Sequence, residues 1–183
     1  MYPNKTRLGK PHALAMLFLL ALFLLQPPWW PTRAAQAEDG QPPAITDNMQ
    51  CGNCGMYPAK FPQWQCQIVM ADGTAVAFDG MKCLCKYRFK LLSDDAKQAG
   101  GIKTIWVKDY ASGQWLHAED ATLVGGSAIM GPMGKELIPF AKPDEAAAFQ
   151  AKNGGSSMAF TAITPDTLAA LMGGMNGHHM MGK

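Results

Sequence analysis

The sequence predicts an α+β fold of two tandem strand–strand–helix–strand (ββαβ) modules, at residues 49–110 and 111–172. Three observations indicate it. Short runs of apolar and β-branched residues are separated by Gly and Asp turns, as strands are. Longer stretches carry apolar residues at helical spacing or clear helix-end signals. These elements recur in the same order in both halves, which is typical of a tandem repeat.

A hairpin followed by a helix opens the first module. Asp72-Gly73 is typical of a tight turn between two strands, because glycine adopts positive φ readily. Leu84, Tyr87 and Leu91 have the spacing of one helical face. In chain order, the predicted elements are strands at 64–70 and 75–78, a helix at 81–92, and strands at 104–108 and 115–117.

The second module contains the clearest helix of the sequence. Pro143 suits the first helical turn, Asp144 and Glu145 favour the positive end of the helix dipole, and Asn153-Gly154 is typical of a helix end. The predicted elements are a strand at 121–124, a loop at 127–135, a strand at 137–141, a helix at 143–152, a strand at 158–161 and a short helix at 165–172.

Residues 1–37 predict a signal peptide. Lys5 and Arg7 lie in a basic start, an apolar run follows at residues 13–25, and Ala35-Gln-Ala37 suits cleavage. Retention as a membrane anchor is the alternative, although the run is short for a span of roughly 20 residues. In both cases the remainder of the chain is exported, and we expect it in the periplasm.

Two segments flank the modules and lack the composition of a packed core. Residues 38–48 predict a flexible linker, and residues 173–183 predict a flexible tail rich in His and Met. The formal net charge of +2 includes the basic start of the signal. Because the remainder has no basic patch, nucleic acid is not an expected partner.

The motif Cys51-Gly-Asn-Cys54-Gly-Met56 places two thiols and a thioether in one short segment. Haem attachment is excluded, because Gly rather than His follows Cys54. A disulfide, a zinc site completed by Cys83-Leu-Cys85 and a soft-metal site all fit the pattern. The cysteine count of 5 is odd, which leaves one thiol unpaired in an exported protein.

The remaining cysteines differ in their place in the predicted elements. Cys83 and Cys85 lie at the start of the first helix, and residues two apart do not share a helical face. At most one of them can therefore join Cys54. A helix N-terminus lowers the pKa of a thiol and favours the thiolate. Cys66 lies within a strand, so we expect it in the core.

Further soft ligands lie in glycine-rich segments. Met130 and Met133 belong to the predicted loop, and His178 and His179 belong to the tail. Thiolate, thioether and imidazole are ligands that hold Cu(I). The candidate metal ligands are Cys51, Cys54, Met56, Cys83, Met130, Met133, His178 and His179, of which the two histidines would form an accessory site.

Together these motifs resemble the NosL family, the copper-binding accessory proteins of nitrous-oxide reductase assembly. Within the resemblance, Cys54 matches the cysteine of a Cys-Gly-Met motif and Met133 matches the methionine of a Pro-Met-Gly loop. The segments that carry it are Cys51-Gly-Asn-Cys54-Gly-Met56, Phe78-Asp-Gly-Met-Lys-Cys83, Trp106-Val-Lys-Asp-Tyr110, Gly126-Ser-Ala-Ile-Met-Gly-Pro-Met-Gly134 and Ile138-Pro-Phe-Ala141.

The resemblance implies two ββαβ modules related in fold to organomercurial lyase, and Cu(I) bound by cysteine and methionine. Two features of this chain depart from the family. Many members are lipoproteins, whereas no cysteine lies near the end of the apolar run here, and the His/Met tail lies outside the family core.

We therefore expect a periplasmic Cu(I) metallochaperone that needs no bond-making catalysis. Its partners would be the copper ion and a client cuproenzyme, for which the resemblance implies nitrous-oxide reductase, or other copper-assembly proteins. The N-terminal segment could anchor it to the membrane. The alternative is an enzyme: a thiol–disulfide oxidoreductase using Cys51 and Cys54, or a carbon–metal lyase, for which Asp79 is the only nearby acid.

Overall fold

A computed structural model of the protein describes residues 41–94 and 101–173. Two antiparallel sheets and three α-helices form these ranges. In chain order the elements are β1 (Cys66–Met70), β2 (Ala75–Phe78), α1 (Met81–Asp94), β3 (Ile102–Lys108), β4 (Trp115–His117), β5 (Thr122–Gly131), β6 (Gly134–Phe140), α2 (Pro143–Asn153), β7 (Ser156–Ala159) and α3 (Pro165–Gly173).

The first sheet has the strand order β2-β1-β3-β4. Successive side chains of the inner strand β1 point to opposite faces of the sheet, and Cys66 to Val69 are all buried. Ile68 lies opposite Val76 and Ile105 and faces the main core. Gln67 faces the other side, where its amide donates a 2.8 Å hydrogen bond to the carbonyl of Pro43. The predicted linker residues 41–48 contain no helix or strand, and this bond joins them to the sheet.

The second sheet has the order β6-β5-β7 and is dominated by one long hairpin. The loop predicted at 127–135 is wrong, because residues 127–131 and 134–135 lie in strands and only Pro132 and Met133 form the turn. The pairing shifts register between Gly125 and Met130. The glycine-rich stretch that resembled a loop therefore forms an irregularity within β5. Met130 consequently lies in a strand.

The second sheet packs on both faces. Leu123 and Leu137 share the main core with Leu84 of α1, and all three side chains are fully buried. Val124 and Ile138, on the opposite face, form a smaller core that includes Ala146 of α2. The strand hairpin β5–β6 therefore lies directly against the helix that follows β2.

The ββαβ order predicted for each half is confirmed, as are both principal helices to within a few residues of their ends. No helix in the described ranges has the length and apolarity needed to cross a bilayer. The predicted signal peptide at 1–37, residues 38–40 of the linker and residues 174–183 of the tail lie outside the described residues.

Candidate metal centre

The segment 51–56 is a tight turn closed by backbone hydrogen bonds. The N–H of Cys51 donates to the carbonyl of Met56 at 2.6 Å, and the N–H of Gly55 donates to the carbonyl of Cys51 at 3.0 Å. Gly55 has a φ of 77°, which favours glycine. The turn brings the two cysteines of the motif to one end of the first sheet.

Edge strand β2 holds this turn in place. The N–H of Gly52 donates to the carbonyl of Ala77 at 3.0 Å. A Cβ at Gly52 would lie 2.5 Å from Cγ1 of Val76, so only glycine permits this approach. The same strand leads through Asp79-Gly80 into α1, which places Asp79 and Cys83 beside the turn.

Four side chains meet there: Cys51, Cys54, Asp79 and Cys83, called the Cys–Asp cluster below. Their ligand atoms all lie within 4.8 Å of one another. Cys51, Asp79 and Cys83 are buried, whereas Cys54 is half-buried. The cluster therefore has one side that is open to exchange with solvent or a partner.

Hydrogen bonds orient part of the cluster and leave one acceptor free. The thiol of Cys54 donates to Oδ1 of Asp79 at 3.3 Å, and the amide of Asn53 donates to Sγ of Cys83 at 3.4 Å. Oδ2 of Asp79 is buried, and no described residue donates a hydrogen bond to it. Buried polar atoms normally have partners, so this orphan oxygen indicates a place for a ligand.

The thiols of the cluster differ in protonation. A hydrogen bond from the Cys83 thiol lowers the pKa of Cys51 to about 6, and the same pairing raises the pKa of Cys83. Burial raises the pKa of Cys54 to about 11. The lowered thiol pKa is therefore that of Cys51, whereas the hydrogen bond to Cys51 and burial raise the pKa of Cys83. Metal binding at neutral pH would release protons from Cys54 and Cys83.

The other two cysteines lie outside the cluster. Cys66 and Cys85 are each 1% exposed, and burial raises the pKa of both, that of Cys85 to about 12. Only Cys83 of the helix pair faces the motif, as the helical spacing required. A zinc site that uses both Cys83 and Cys85 is therefore not formed. All five cysteines lie in the described ranges, and all are free thiols.

The candidate methionines differ in exposure and in the backbone contacts that they make. Met56 is half-buried and closes the turn through its carbonyl. Met130 and Met133, at the end of the β5–β6 hairpin, are 50% and 44% exposed. Lys82, the neighbour of Cys83, donates its ammonium to the carbonyl of Met133. The candidates His178 and His179 lie outside the described residues.

Sequence reasoning did not place Asp79 among the ligand candidates. The sequence indicated Asp79 only as an acid near the thiols, and the structure places it between β2 and α1. Its position next to a Cys-bearing helix start was the available signal. An acid at a strand–helix junction lies close to the side chains of the first helical turn, which here include Cys83.

Comparison with known proteins places the chain among copper-binding relatives by sequence. The NosL family model matches residues 42–168. The copper-binding lipoprotein NosL of Achromobacter cycloclastes is 47% identical over 79 residues, which cover 37% of this chain and 41% of the relative. The protein of the same description from Stutzerimonas stutzeri is 29% identical over 152 residues, covering 75% and 76%.

A solved structure is similar over most of the fold. The crystal structure of the copper chaperone NosL from Shewanella denitrificans matches with a TM-score of 0.58 and 25% identity, covering 69% of this chain and 98% of that one. The family match extends over most of the chain and contains every residue of the Cys–Asp cluster. The chain belongs to the NosL family.

Proposed function

We propose that this protein binds Cu(I) at the Cys–Asp cluster and passes it to a client in the periplasm as a metallochaperone. The observation that carries the proposal is the convergence of three thiols on a buried carboxylate with an orphan oxygen. Thiolates select soft ions such as Cu(I), and the relatives are described as copper-binding proteins or copper chaperones.

The burial of the ligands suits transfer better than storage. Cys51 and Cys83 are 4% and 2% exposed, whereas Cys54 is half-buried. An incoming ligand from a client can therefore reach the metal from the Cys54 side while the buried thiolates still hold it. The exposed thioethers of Met130 and Met133 provide additional soft ligands at the protein surface.

The family and the N-terminal segment support a proposal for the client and for the location. A NosL-type chaperone would supply nitrous-oxide reductase or another protein of copper assembly. Residues 1–37 would direct the chain to the periplasm, with retention as an anchor keeping it at the membrane. His178 and His179 of the tail would capture further copper at lower affinity.

An enzymatic role is less well supported by the same geometry. In an oxidoreductase the attacking thiolate must be accessible. Here the low-pKa thiol, Cys51, is buried, and the more exposed Cys54 has a raised pKa. Asp79 does supply the acid that a carbon–metal lyase needs beside its thiols. Hydrocarbon release from an organomercurial, with excess free thiol present, would favour that reaction class.

Competition with a Cu(I) chelator tests the proposed function. The reduced protein should retain about one tightly bound Cu(I) per chain and bind Zn(II) more weakly, because thiolate and thioether prefer the softer ion. Insulin reduction, measured on the same preparation, should be absent. Complete loss of copper to the chelator, or a preference for Zn(II), would contradict the proposal.

A further inference from the structure

Glu136 is a buried carboxylate that the Cys–Asp cluster does not include. It is 1% exposed and lies on β6, shortly after the turn of the β5–β6 hairpin. Its Oε1 accepts hydrogen bonds from the backbone N–H of Lys82 at 2.5 Å and of Leu137 at 3.1 Å. Lys82 is in the first turn of α1, where N–H groups have no partner within the helix. Glu136 therefore caps a helix of the other module.

The side chain of Lys82 connects the start of α1 to the hairpin turn. Its ammonium donates to the carbonyl of Met133 in the hairpin turn, and the residue is only 8% exposed. The backbone and the side chain of Lys82 thus both hold the hairpin, the first through Glu136 and the second through Met133. Since Cys83 follows Lys82 directly, the turn that carries Met133 is attached to the same helix start that bears one of the cluster thiols.

Two glycines make room for this carboxylate. A Cβ at Gly80 would overlap the Glu136 carboxylate. A Cβ at Gly131 would lie 3.1 Å from Cγ of Glu136. Gly80 follows Asp79 of the cluster, and Gly131 precedes the hairpin turn. The side chain of Glu136 is therefore enclosed between the segment that bears Asp79 and Cys83 and the segment that bears Met133.

Stability alone does not require a carboxylate at this position. Burying one costs free energy, and apolar side chains of similar volume often replace buried charges without loss. An apolar side chain could not accept the N–H of Lys82, however. The specific contribution of Glu136 is the fixed geometry between the hairpin turn and the helix start.

We propose that Glu136 is a positioning residue that holds the thioether of Met133 within reach of the Cys–Asp cluster. The inference rests on the proposed Cu(I) binding, and it adds that the second module contributes a ligand whose place is set by a buried carboxylate of the same module. Residues that orient metal ligands typically change metal affinity by roughly 10–100-fold when they are replaced.

A double-mutant cycle in the reduced full-length protein tests this inference. Glu136→Ala should lower Cu(I) affinity by about tenfold or more, as should Met133→Leu. The double variant should be little weaker than either single variant, because both changes remove the same contact. Glu136→Gln retains a carbonyl oxygen that can accept from Lys82 and should recover most of the affinity.

Asp109 provides the matched control. It is 3% exposed, accepts the N–H groups of Ser112 and Ala141 at 3.0 Å each, and joins the β3–β4 turn to the segment after β6. Ala141 is five residues beyond Glu136, roughly 15 Å along an extended strand. Asp109→Ala should therefore reduce the melting temperature without changing Cu(I) affinity.

The outcomes separate the inference from the proposed function. Wild-type protein that does not retain Cu(I) overturns the proposed function. Wild-type retention with an unchanged affinity in Glu136→Ala overturns the positioning role alone. Additive losses in the double variant would also overturn it, because they would show that Glu136 and Met133 act independently. An equal affinity loss in Asp109→Ala would overturn it as well, because it would indicate general destabilisation.

Discussion

Cys83→Ser is expected to weaken Cu(I) binding by more than the roughly 10–100-fold that loss of an orienting partner causes. The substitution removes one of three thiols whose sulfur atoms lie within 4.8 Å of one another, and a hydroxyl is a poor ligand for a soft ion. Competition with a Cu(I) chelator, at equal protein concentration, gives the affinity, and circular dichroism confirms that the variant is folded.

Cys85→Ser is the control, because it makes the same substitution two residues further along the same helix. Both sulfurs are almost completely buried, at 2% and 1% exposure, so both variants bury a hydroxyl. Of these two cysteines, only Cys83 belongs to the Cys–Asp cluster. Equal losses of affinity in two folded variants would show that the metal binds elsewhere.

Glu136→Gln is expected to become increasingly stabilising relative to the wild type as pH rises from about 5 to 8. Burial raises the pKa of Glu136 from 4.5 to about 7. The folded state then binds a proton that the unfolded state has lost, so the wild-type free energy of unfolding decreases with pH in this range. The shift corresponds to about 3 kcal/mol between the ends of the range.

Urea unfolding of the metal-free reduced protein at several pH values measures this difference. Cys51 contributes with the opposite sign, because its lowered pKa adds stability as pH rises above about 6. The quantity to compare is therefore the difference between variant and wild type, in which the contribution of Cys51 cancels. A difference for Glu136→Gln that is constant with pH would refute the raised pKa.

The elements that could be predicted from the sequence are those with local signals. The Asp72-Gly73 turn and the apolar spacing along α1 depend on neighbours in the chain, so the first hairpin and the helix were predictable. The full length of the β5–β6 hairpin was not predictable in this way. Gly125 and Gly126 favour a loop locally, but pairing with β6 resumes at Met130 and extends the strand to Gly131.

In the candidate site, too, only the features with local sequence signals were predictable. Helical spacing alone determined that Cys83 and Cys85 cannot both face Cys54. Which of them does so depends on how α1 packs against the sheets, and no local pattern contains that information. Glu136 was unpredictable for the same reason. Its burial depends on an approach to Gly80, which lies far from it in the sequence.

X-ray absorption at the copper edge of the Cu(I)-loaded full-length protein tests the central claim most directly. Sulfur should dominate the first coordination shell of the tightly bound ion, and the shell should change in Cys83→Ser and stay the same in Cys85→Ser. A shell dominated by nitrogen in the protein loaded with one equivalent would contradict it, because the histidines of the tail, and not the Cys–Asp cluster, would then hold the metal.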